Sequence, residues 1–85
     1  MKIRYEKPER RPNTRLENRT ESLLYGIIPD QGSIDISEMY HKGIDYINKN
    51  MEDFINDTPM SYDKILRTME GLKKRGWVKE CVVLE

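Results

Sequence analysis

Apolar residues recur at helical spacing in three stretches of the chain, and each stretch is bounded by residues that start or stop a helix. The last is the most regular. Ile65, Leu66, Met69 and Leu72 form one stripe. Ser61 precedes it as a cap whose hydroxyl accepts from a free N–H of the first turn, and Asp63 meets the positive end of the dipole. Lys73, Lys74 and Arg75 fill the last turn, Gly76 suits the left-handed residue that ends a helix, and Trp77 and Val78 return to the interior. Cys81 to Leu84 continue as a β-like run.

The first stretch is Leu16, Thr20, Leu23, Leu24, Ile27 and Ile28. Thr14 and Glu17 have capping-box spacing, which predicts a helix from about Arg15 to Ile28, ended by the turn residues Pro29 to Gly32. Ile34 and Ile36 flank Asp35 as a very short strand. Ser37 then caps a second helix, whose stripe is Tyr40, Ile44, Ile47, Met51 and Phe54, from about Glu38 to Ile55, either as one extended helix or as two broken around Asn48-Lys49-Asn50. Gly43 lies inside that helix at a cost of about 1 kcal/mol relative to Ala. Asn56 to Pro59 form the turn before Ser61.

Residues 1–13 show little helical periodicity and contain Pro8 and Pro12. Three readings stand: a flexible soluble tail, a basic arm that follows a DNA backbone, and a short strand over Lys2–Glu6. In the last, Ile3 and Tyr5 share a face and the strand adds to the edge offered by Val78–Leu84. The chain is therefore divided into a basic, flexible N-terminal arm (1–13) and one folded domain (14–85).

Composition changes this picture in two ways. The chain is 36% hydrophobic and 35% charged, polar for a folded domain of 85 residues, so dimerisation or a partner would help its stability. The net charge is zero, but its distribution is not even. Residues 1–15 carry six basic and two acidic groups, residues 16–57 three and nine, and residues 58–85 six and four. A basic face exists on this neutral chain if its two ends meet in space.

The stretch from Ser61 to Val78 resembles the recognition helix and first wing strand of winged helix-turn-helix DNA-binding domains. The resemblance rests on the polar cap Ser61, the pattern ILRTMEGL at Ile65–Leu72, the turn KKRG at Lys73–Gly76 and the pair Trp77-Val78. It implies a mainly α fold with a small β-sheet: three main helices, short strands, and the third helix in the major groove. Only seven residues follow Val78, so the wing is truncated, or its hairpin is completed by the N-terminal segment or another subunit. The expected function is a sequence-specific double-stranded DNA-binding protein, a transcriptional regulator that reads a two-fold site as a dimer.

At 100° per residue, Asp63, Lys64, Arg67, Gly71 and Lys74 face outward on the third helix, with Ser61 and Thr68 beside them. Arg67 suits the two acceptors of a guanine edge. Lys64 and Lys74 suit phosphates or guanines, and Gly71 allows close approach of a backbone. Arg75 and Lys73 would reach flanking phosphates, with Arg10 and Arg11 in the arm. Tyr62 falls on the inner side. The competing reading is a solvated face, since Asp63 and Glu70 repel phosphate.

Enzyme chemistry finds no support in the motifs. His41 is the only histidine, expected exposed and without a fixed partner. No Gly-rich phosphate loop, HExxH or EF-hand pattern occurs. The single Cys81 excludes an intramolecular disulfide and a cysteine zinc site. No cofactor or metal is expected; Glu52, Asp53 and Asp57 read as a solvated helix end rather than a cation site. The absence of a long apolar run predicts a soluble, cytoplasmic protein. The alternative function is a protein–protein interaction module on the same scaffold, the accessory protein of a virus or mobile element. Its contacts would be the acidic second helix or the C-terminal strand edge.

Overall fold

The computed structural model describes residues 2–50 and 60–83. Among these residues, three helices pack on one three-stranded antiparallel sheet. The elements are β1 (Ile3–Glu6), α1 (Arg19–Ile27), β2 (Ser33–Asp35), α2 (Ile36–Lys49), α3 (Tyr62–Lys74) and β3 (Lys79–Val82). α2 ends at Lys49 with Asn50 as its C-cap, so of the two readings the break near Asn48-Lys49-Asn50 is the one found. The expected stretch to Ile55, with Met51 and Phe54, and the turn Asn56–Pro59 lie outside the described residues.

The sheet order is β2-β1-β3, so the first strand of the chain is its centre. Ile3 pairs with Val82, Tyr5 with Glu80 on one side and Ile34 on the other, and Arg4 with Asp35 and Cys81. Of the three readings of the N-terminus, the strand is the one found at residues 3–6. The dividing line at residue 13 is not a boundary of the fold, because the sheet crosses it. Alternation explains the strand: Tyr5 is 1% exposed while Arg4 faces solvent.

Each helix contributes one stripe to a shared core. Leu23, Leu24 and Ile28 come from the first helical region, Ile36 and Met39 from α2, and Ile65, Met69 and Leu72 from α3. Tyr5, Ile34, Met60, Trp77 and Val78 close the core from the sheet and loops. Met39, beside the predicted stripe, is fully buried. Gly43 admits Met60: a methyl group there would lie 3.3 Å from Met60 Cε.

Helix ends fall at the expected residues in α3 and at other residues in α1 and α2. Ser61 Oγ accepts from the Lys64 N–H at 3.1 Å. Gly76, at φ +84, ends the helix with two bonds: Trp77 N–H to Leu72 carbonyl at 2.8 Å and Gly76 N–H to Lys73 carbonyl at 3.1 Å. In α1 the cap is Asn18, not Thr14. Its Oδ1 accepts from the Glu21 N–H at 2.9 Å, and Glu21 Oε1 accepts from the Glu17 N–H at 3.1 Å. The capping box sits four residues later than expected because Thr14 is used elsewhere: its hydroxyl donates to the Arg75 carbonyl at 2.9 Å. At α2 the cap position is Asp35 rather than Ser37, and its carboxylate meets Arg4 Nε at 3.0 Å instead of capping the helix.

Burial, and then the nearby carboxylates of Glu80 and Glu70, push the Tyr5 hydroxyl up to about 12. Protonated Tyr5 is thus favoured in the folded state. Its contribution is whole below the unfolded value near 10 and is lost as pH rises through about 12. Tyr5→Phe is expected to flatten the fall in stability over that window. Urea melts at stepped alkaline pH check it, with tyrosinate absorbance as the direct readout.

Candidate nucleic-acid interface

Two regions carry the candidate residues: the outward face of α3, and the N-terminal segment where it crosses the end of that helix. Asp63, Arg67, Glu70 and Lys74 are exposed along the face, while Lys64, Thr68 and Gly71 are half-buried at its flank. The exposed four carry two charges of each sign. Arg67 Nε lies 3.1 Å from Asp63 Oδ2, with side chains 81% and 71% exposed. Such an exposed i,i+4 pair is worth about 0.3–0.5 kcal/mol. A two-pronged contact to a guanine discriminates by about 1–3 kcal/mol, so the pair does not withhold Arg67 from a base.

The second region joins the two basic ends of the chain. Besides the bond from Thr14 to the Arg75 carbonyl, Pro12 passes close over Gly76, where a methyl group would meet Pro12 Cβ at 3.4 Å. Residues 10–15 therefore run across the carboxyl end of α3. Arg10, Arg11, Arg15 and Lys74 are all exposed. Among the described residues, none of these four has a carboxylate within ion-pair distance. Glu9 is the acidic neighbour in the segment. Lys73 is held by Glu80 at 3.6 Å.

Two expected contacts require correction. Arg75 turns inward: its guanidinium binds the buried Glu21 carboxylate, and Nη1 lies 3.7 Å from Glu17. Its side chain is 22% exposed and Glu21's is 6%, so it is a strut between α3 and α1 rather than a phosphate contact. Gly71 is not an open approach to a backbone. A methyl group there would lie 3.3 and 3.4 Å from the terminal nitrogens of Arg75, so the missing side chain makes room for that guanidinium.

Sequence reasoning also missed an aromatic cluster at the other end of α3. Tyr62 is 51% exposed rather than packed inside. Its ring meets Tyr40 edge-on at 5.0 Å, and Tyr40 meets exposed His41 at 5.6 Å. The available signal was position. Tyr62 is the first residue of its helix and projects before the core begins. Trp77 is a core anchor as expected, with Tyr25 edge-on at 5.0 Å and Lys7 over the Tyr25 ring at 4.4 Å. Lys7 also bonds Asp30 at 2.8 Å, and that hydrogen bond, then the charge behind it, lowers the Asp30 pKa.

Among the described residues, no group of three or more His, Cys, Asp or Glu is placed to hold a metal ion, and no helix is long and apolar enough to cross a membrane. No protein-family model matches this chain, and no curated protein and no solved structure matches it.

Proposed function

We propose that this is a small double-stranded DNA-binding protein of regulatory character, on a winged-helix scaffold in which the N-terminal strand pairs beside β3 in the place of a second wing strand. α3 is set towards the major groove, with Arg67 on a base edge. Arg10, Arg11, Arg15 and Lys74 take the flanking phosphates. One observation carries this reading: residues 10–15 are seated on the carboxyl end of α3, which gathers exposed cations on a chain of zero net charge. A face with two charges of each sign supplies little general attraction, so affinity comes from that seat and selectivity from the helix.

The test is a titration of a labelled heterogeneous duplex by fluorescence anisotropy at several salt concentrations. Four phosphate contacts give a slope of about −3.6 in log affinity against log salt, and Arg10→Ala with Arg11→Ala together brings it to about −1.8. Absence of binding at about 50 mM salt, where such contacts are strong, overturns the reading. A second reading draws on Val82, 67% exposed on the outer strand β3: a partner adds a strand there. In that case Val82→Lys abolishes an association that the four cations do not affect.

A further inference from the structure

Arg67 Nε lies 3.1 Å from Asp63 Oδ2 in an exposed ion pair on the outer side of α3. A guanidinium has five N–H groups, and the four on its terminal nitrogens are left for a ligand. We infer that Asp63 is a specificity-determining residue: its charge beside Nε draws the Arg67 guanidinium along the helix and away from phosphate, and leaves the terminal nitrogens to meet O6 and N7 of a guanine. This rests on the DNA-binding reading above and names the base that it selects.

Three features support the assignment. Asp63 lies one turn before Arg67, the favourable order for an acid–base pair on a helix, and in the first turn, where its charge suits the dipole. Both side chains are open to an incoming surface, at 81% and 71% exposure. A free arginine at such a place swings to the nearest phosphate, which carries no sequence information. The Asp63 carboxylate opposes that outcome twice, by repelling phosphate and by attracting the guanidinium to its own side. The pair is weak in free solution, and it strengthens when a bound duplex displaces water from around it.

The experiment uses the full chain and a pool of duplexes randomised over about ten base pairs, the span of one helical turn. Wild type is expected to select a site with one fixed guanine. Replacing that guanine by 7-deazaguanine, which lacks the N7 acceptor, is expected to weaken wild-type binding about tenfold and to leave Arg67→Ala unaffected. Asp63→Asn is expected to lose most of that discrimination while its affinity for unselected duplex holds or rises. Circular dichroism confirms that each variant is folded. Full discrimination retained by Asp63→Asn, or a selected pool with no fixed guanine, overturns the inference and leaves DNA binding intact. If wild type retains no duplex at all, the DNA-binding reading and this inference fall together.

Discussion

A chain that begins at Lys7 is expected not to fold. Among the described residues, β1 is the only strand that β2 and β3 pair with, so its removal leaves two strands of three and four residues unpaired. It also removes Tyr5, at 1% exposure one of the largest fully buried side chains. Losing a buried aromatic costs about 3–5 kcal/mol before any backbone bond is considered. A domain of this size has roughly 4–13 kcal/mol in total, at 0.05–0.15 per residue. Far-ultraviolet circular dichroism and Trp77 fluorescence on the shortened chain check the outcome. An unchanged melt would mean that residues 1–6 are an appendage and that the sheet order is wrong.

The second large effect is expected at Arg75. Arg75→Ala leaves the Glu21 carboxylate buried and without its cation. Breaking a buried pair from one side costs about 3–5 kcal/mol. The low end applies because Arg75 itself reaches water. A loss of about 3 kcal/mol lowers the melting temperature on the order of 15 °C. Replacing Glu21 and Arg75 together by Met is expected to recover most of it, since two charges then leave the interior at once. Thermal melts of the two single variants and the double variant decide the matter. A phosphate-contacting Arg75 predicts the reverse: normal stability with weakened DNA binding.

How much of this was legible from the residues depends on how far each signal acts. α3 was readable at both ends because a serine hydroxyl, a four-residue stripe and a left-handed glycine are local features. Its agreement with the structure extends to the Ser61 bond and the paired bonds at Gly76. The start of α1 was not readable. Thr14 with Glu17 and Asn18 with Glu21 offer the same spacing, and the choice depends on Arg75, 54 positions beyond Glu21. The role of Gly71 was hidden for the same reason: sequence shows a side chain missing, and only the fold shows the guanidinium in its place. For β1, alternation offered a strand on the Val78–Leu84 edge only as one of three readings, and the division at residue 13 followed the flexible arm. The pairing with β2 on its other side is one that no local pattern encodes.

The central claim is that the seated N-terminal segment and the outer side of α3 form one DNA-facing surface. Nuclear magnetic resonance titration of isotopically labelled protein with a short duplex tests it most directly. The account predicts shifts concentrated at Arg10, Arg11, Arg15, Arg67 and Lys74, with β3 from Lys79 to Val82 undisturbed. Shifts confined to β3 and α2, or none at low salt, would contradict it.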